Sequence, residues 1–256
     1  MFAYDFMRHA FAAAGIVAIV SGLVGYFLVL RGQTFAGHAL SHVGFTGATG
    51  AVLVGVAPLW GLVGMTLVAG IGMGLLGPRL QQRDVAIGVV LALSLGLGLL
   101  FLHFYTAFAT QAAALLFGNV LAVDRGTILS LLLLGAASLA ALGVIARPLL
   151  FASLQPELAE ARGVDPRLLS VLFLAIVAVA TALCAQVVGV LLVFALMVGP
   201  AATAQLLVRH VATGLLLAAI LALAYWTDWP ASFWITGLSG GGYLLAGAAA
   251  AVLERD

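Results

Sequence analysis

Apolar residues run along almost the whole chain and are interrupted only at short polar points. A run of about 20 apolar residues crosses the hydrocarbon core of a bilayer as a helix. Runs of that kind fall at Phe11–Leu30, His38–Val56, Leu59–Leu76, Val85–Phe104, Thr127–Ala146, Leu168–Ala185, Val187–Val208, Val211–Trp226 and Ala231–Leu253. Between the fourth and fifth lies Phe108–Val123, apolar but short, which fits a partial or re-entrant helix. The join from Cys184 to Gly189 carries no strong breaker, so eight to ten spans fit the pattern, with nine as the central expectation. The expected architecture is all-α, a polytopic integral membrane protein forming one transmembrane domain over residues 1–256.

Composition sharpens this picture. The chain is 64% hydrophobic and only 7% charged, whereas soluble domains carry about 25% charged residues. Long apolar runs point to helices rather than to the short alternating strands of a barrel. The abundance of glycine, 31 residues, suits close helix packing through small side chains, as at the Gly70 and Gly74 pair. A formal net charge of +1 gives no nucleic-acid-binding surface. The single cysteine, Cys184, forms no internal disulfide. The first apolar run is long enough to span by itself, and Met1 to His9 does not read as a cleavable signal. All ten basic residues are arginine, so the phosphate-binding loop that needs a lysine is missing, and the chain does not hydrolyse ATP by that route.

Basic residues favour the cytoplasmic ends of spans. With nine spans and the N-terminus outside, Arg31, Arg79, Arg83, Arg147, Arg162, Arg167, Arg209 and Arg255 fall inside and only Arg8 and Arg125 outside. The longest polar stretch, Arg147 to Arg167, is then cytoplasmic. Within it Pro156 can open a short helix, Glu157 and Glu160 suit its first turn, Gly163 stops it, and Pro166 begins the next span. It reads either as a plain connector or as a docking element for a cytoplasmic partner.

The candidate chemistry sits in Gly37-His38-Ala39-Leu40-Ser41-His42. Two imidazoles four residues apart share one helix face, their Cβ atoms roughly 6 Å apart. An ionisable residue in a membrane segment is costly, so its default reading is functional. Imidazole suits zinc-like divalent ions better than magnesium or calcium. The alternative is that both rings only hydrogen-bond neighbouring helices. A second interruption, Gly199-Pro200 with Ala201, Ala202 and Thr203, fits a helix break facing a central path or a simple packing kink. His9, His103 and His210 lie near span ends and read as interfacial residues. Asp5, Asp124 and Asp228 fall on the outer side.

Three stretches together resemble the permease subunits of bacterial ABC importers for zinc and manganese, the ABC-3 family. Leu30 to Gly50 is similar to the family's basic residue, short loop with Phe, and Gly-Asp-x-Leu-(Ser/Ala)-His. Pro156 to Val164 looks like its cytoplasmic coupling helix, and Val187 to Arg209 resembles its Val-Gly-x-Leu-Leu…Pro-Ala-Ala-Thr-Ala segment. Leu115 to Val123 resembles a recurrent Phe-Gly-x-x-Leu-Ala-Val run.

The resemblance implies a multi-pass protein of the bacterial cytoplasmic membrane, paired with a second copy. It implies two cytoplasmic ATP-binding subunits and an extracytoplasmic metal-binding protein as partners. Pro156, Glu157, Leu158, Ala159, Arg162 and Gly163 would couple to the ATPase. The metal-associated Asp and His of the family fall on His38 and His42, so His42 matches and His38 departs. An imidazole in place of a carboxylate removes a negative charge and shifts preference from manganese toward zinc. Zn2+, then Mn2+, is the expected cargo, with no permanently bound cofactor. Because only neutral imidazole binds metal, transport is expected to weaken toward about pH 6.

Two other classes compete. Gly237-Leu238-Ser239-Gly240 resembles the nucleophile motif of intramembrane serine proteases, yet no histidine follows His210 to serve as base. An ion-coupled carrier without an ATPase would carry carboxylates within its spans, and none lies securely within one.

Overall fold

The structure is a computed structural model that describes residues 4–76, 80–104 and 115–207, together with isolated helical positions 237, 240, 241 and 244. For 80–83, 203, 204, 206 and 207 only the backbone is described. The described residues form α1 (Asp5–Leu30), α2 (Thr34–Leu53), α3 (Pro58–Leu75), α4 (Leu80–His103), α5 (Arg125–Leu154), α6 (Pro156–Ala161), α7 (Pro166–Val188) and α8 (Val190–Leu207). A 3₁₀ turn at Val120–Ala122 precedes α5. No strand occurs among them.

Five of these helices, α1, α3, α4, α5 and α7, contain segments long and apolar enough to cross a membrane. α2 carries the histidines, serine and threonines that dilute its apolar character. The expected span at Val211–Trp226 lies outside the described residues, as do nearly all of Ala231–Leu253 and 108–114 of the short apolar segment.

α7 is the core of the bundle and packs against α1, α2, α3, α5 and α8. Its Phe173, Leu174 and Leu183 are fully buried. α4 and α5 turn rows of large apolar side chains outward instead, Leu93, Leu97 and Leu99 on one and Leu129, Leu133 and Val144 on the other. That apolar exterior is what lipid requires. Small residues set the closest crossings: a Cβ on Gly70 would stand 2.7 Å from the Leu174 carbonyl oxygen, and one on Gly74 would stand 2.6 Å from Val171 Cα. The glycine pair four residues apart is thus the face of α3 that meets α7.

Four expectations change. α2 starts at Thr34, so the histidine motif lies inside the helix rather than at its opening. α5 runs on through Arg147 and Pro148 to Leu154, which shortens the polar loop to start at Gln155. Pro148 removes one backbone bond, to the carbonyl of Val144, and the apolar Leu149 to Leu154 stretch carries the helix past it. The join near Cys184 does have a breaker: Gly189, at φ +81°, ends α7 and separates it from α8. Gly199 and Pro200 lie inside one continuous α8. Pro200 withholds an N–H from the Leu196 carbonyl, a local bend point rather than an interruption.

The short helix between α5 and α7 forms as its caps dictate. Pro156 occupies its first turn. Gly163, at φ +83°, donates its N–H to Glu160 O at 2.9 Å, and Val164 donates to Ala159 O at 3.0 Å. This is a Schellman stop. Asp165 then caps α7 by accepting from the Arg167 N–H at 2.8 Å.

Candidate functional site

α2 is held by its neighbours. It packs against α3, α4, α7 and α8, and near its first turns Gly37 lies against Leu28 of α1 and His38 against Phe194 of α8. From α4, the Ser94 carbonyl accepts the Thr46 hydroxyl at 2.5 Å. Ser41 donates to Gly37 O at 3.2 Å, and Thr49 donates to Phe45 O at 2.9 Å. These hydroxyls are buried, Ser41 and Thr49 bonded to the backbone of α2 itself and Thr46 to that of α4, so they are committed to packing. Beyond Thr34 at its start, the two imidazoles are the polar side chains of the helix not committed in this way.

His38 and His42 are both half-buried. Their rings are 4.8 Å apart between centroids at an interplanar angle of 81°. His38 also meets Phe194 of α8 edge to face, at 5.1 Å and 75°. The one-face spacing read from the motif therefore places the rings side by side, at the junction of α2 and α8. On α8, Phe194, Ala195, Val198 and Gly199 share the same half-buried status, one helical stripe that includes the ring against His38. Further along, Gln205 donates its side-chain N–H to Tyr26 O at 2.9 Å and ties α8 to α1.

A pair of imidazoles four residues apart on a helix can present two nitrogens to one divalent ion, at about 2.0–2.1 Å each for zinc. Among the described residues no group of three His, Cys, Asp or Glu side chains gathers in a metal-binding cluster. Among the described residues the pair is a two-donor arrangement. Such a site can hand an ion on, whereas a closed four-ligand cage retains it.

The bundle has two polar ends. At one, the Arg31 guanidinium donates to Ser153 Oγ at 3.4 Å, placing the α1–α2 turn beside the last turn of α5 and α6. His38 lies about one helical turn from that end and His42 about two. Arg31, Arg147, Arg162 and Arg167 all belong to this end, and Arg8 and Arg125 to the other, as the charge rule expects. At the opposite end Gly118 presses against the Val188–Gly189 backbone. His9 and His103 are found there too, near the ends of α1 and α4, and His210 lies outside the described residues. There Asp124 caps α5, accepting from the Thr127 N–H at 2.9 Å, and hydrogen bonds from the Thr127 hydroxyl first and its N–H second hold the carboxyl below the usual carboxylate range.

In α6, Pro156, Glu157, Leu158, Glu160 and Ala161 are exposed while Ala159 is buried. One residue anchors the short helix and the rest face outward, with Arg162 and Gly163 closing it. Sequence reading missed two contributors. Phe194 sits in a recognised stretch but shows its role only once α8 lies against α2. Arg31 is legible in the sequence as a basic residue of the motif, but its contacts with Ser153 and Phe173 are not.

Known proteins share this chain's sequence pattern and fold. The manganese transport system membrane protein MntC of Halalkalibacterium halodurans is 30% identical over 221 residues, 86% of this chain and 76% of that protein. The manganese import system permease protein ScaB of Streptococcus gordonii is 29% identical over 219 residues, 85% of this chain and 78% of that protein. Among solved structures, PsaBC from Streptococcus pneumoniae in complex with Fab superposes with a TM-score of 0.79 at 25% identity, covering 95% of this chain and 91% of that one. The model of the ABC 3 transport family matches residues 3–252, and the chain is a member of that family.

Proposed function

We propose that this chain is the permease subunit of an ATP-driven importer in the bacterial cytoplasmic membrane, and that its cargo is a divalent transition-metal ion. His38 and His42 serve as its transient ligands. The observation that carries this reading is the adjacency of the two half-buried rings, 4.8 Å apart, on the helix that meets α8. Family membership and relatives named as manganese permeases support the metal class. Within that class the two-imidazole donor set ranks zinc ahead of manganese, because nitrogen donors without a carboxylate favour the borderline-soft ion. The relatives' names point instead to manganese, so the order of the two ions is the part most exposed to test.

A second copy of the chain would complete the coordination, each contributing His38 and His42 near a shared axis. Two cytoplasmic ATP-binding subunits would dock on Pro156 to Gly163, and an extracytoplasmic metal-binding protein would deliver the ion. ATP-driven closure of those subunits would move α6 and switch access, with α8 bending at Gly199-Pro200. The chain itself breaks no bond. Membership in a transport family gives the serine-hydrolase alternative no support, and its Ser239 lies outside the described residues.

Uptake of Zn2+ and Mn2+ by cells carrying His42→Ala tests the reading. Loss of metal uptake with normal membrane levels of the protein supports it. Unchanged uptake of both ions removes the pair from the pathway.

A further inference from the structure

Arg31 occupies a position that neither the histidine pair nor the coupling helix explains. It is the C-cap of α1. Gly32, at φ +62°, donates to Val29 O at 3.0 Å, and Gln33 donates to Leu28 O at 3.0 Å. This Schellman motif fixes the Arg31 backbone tightly. The turn leads directly into α2, whose Gly37 N–H bonds back to Gln33 O at 3.3 Å. His38 follows at once.

The Arg31 side chain reaches the other way. Its Nη1 donates to Ser153 Oγ, and Ser153 in turn donates to Leu149 O at 2.6 Å within α5. Two residues after Ser153 the chain reaches Gln155 and enters α6. The same guanidinium lies over the Phe173 ring, 5.6 Å from its centroid. Phe173 is fully buried on α7, the helix that leaves the coupling loop. One planar cation therefore touches the helix entering α6, the helix leaving it, and the turn that starts the histidine helix.

Resting on the importer reading above, we propose that Arg31 is a positioning residue that transmits displacement of Pro156–Gly163 to the His38–His42 pair. Arginine suits the task because its flat, rigid fork holds a hydrogen bond at its edge and an aromatic ring at its face together. When α5 and α7 shift at their α6 ends, Ser153 and Phe173 carry Arg31 with them. The Schellman turn then passes the movement to the first turn of α2.

The test uses the complete transporter, permease with its ATP-binding subunits, in lipid nanodiscs and proteoliposomes. Amide hydrogen exchange is compared with and without a non-hydrolysable ATP analogue. Uptake of radioactive Zn2+ and Mn2+ is measured beside ATP turnover. In the unaltered protein the nucleotide changes exchange both at 155–164 and at 34–42. In Arg31→Ala the change at 155–164 persists and ATP is still hydrolysed. The change at 34–42 and the ions moved per ATP fall at least about fivefold, the lower bound of ordinary coupling. Phe173→Leu, which keeps apolar volume, and Ser153→Ala fall in the same direction and stand in if Arg31→Ala does not assemble. Arg31→Lys keeps the charge without the flat fork and restores only part of the coupling.

Persistence of the nucleotide response at 34–42 in these variants overturns the proposal. So does its absence from the unaltered protein, or a parallel loss of ATP turnover and uptake. If the unaltered complex moves neither ion while the linked exchange still depends on Arg31, the cargo reading fails and the linkage stands.

Discussion

Phe194 stands edge to face against His38, 5.1 Å between ring centroids. The contact joins a helix with a proline bend point five and six residues further on, at Gly199 and Pro200, to one of the two candidate ligands. It restricts where the His38 ring can turn. Aromatic contacts of this kind contribute about 0.5–1.5 kcal/mol. Phe194→Ala is therefore expected to weaken Zn2+ binding by roughly two- to tenfold, while Phe194→Tyr, which preserves the ring, leaves it near the original value. Isothermal titration of the purified permease checks both.

At the other end of the bundle, Gly118 and Gly189 both adopt positive φ, +75° and +81°, and each faces the other's backbone. A Cβ at either position meets main chain that has no room to retreat. Gly189→Ala is expected to cost at least about 2 kcal/mol, since strained φ and the steric conflict add. A lowered unfolding temperature in detergent would show it. Gly143 on α5 is exposed and has nothing within 4 Å of an added Cβ. Gly143→Ala should leave the temperature unchanged or raise it slightly.

Asp124 carries a pH signature. Its carboxyl is held below its ordinary value by the bond from Thr127. A depressed folded-state pKa means that the stabilisation is fully present above the unfolded value, about 3.9, and is lost as pH falls through the folded value. Asp124→Ala should unfold at a lower temperature than the unaltered protein at neutral pH, with the gap closing below about pH 4. Thermal melts across that range check this, and Asp124→Asn, which keeps a capping oxygen, should show a smaller gap at neutral pH.

Much of this was legible from local chemistry. The Pro156–Gly163 helix follows from a proline start and a glycine stop, both read within a few residues. The adjacency of His38 and His42 follows from helical spacing alone. Gly189 as a breaker was harder to see, because its neighbours Val187, Val188 and Val190 continue the apolar pattern unchanged. Only the packed Gly118 turn shows why the backbone must reverse there. Arg147-Pro148 misled in the opposite sense: charge and proline read as a loop, but one lost hydrogen bond in a long apolar helix is too small a loss to end it. The contacts of Arg31 with Phe173, and of His38 with Phe194, join residues far apart in the chain. No local pattern encodes them.

The coordination of a bound ion answers the central claim most directly. X-ray absorption at the zinc edge, recorded on the purified permease loaded with one Zn2+ per site, counts imidazole nitrogens around the metal. Two from each participating chain at about 2.0 Å, lost in the His38→Ala/His42→Ala variant together with zinc binding, is the predicted result. A shell of oxygen donors alone, or a spectrum unaltered by the double substitution, would contradict it.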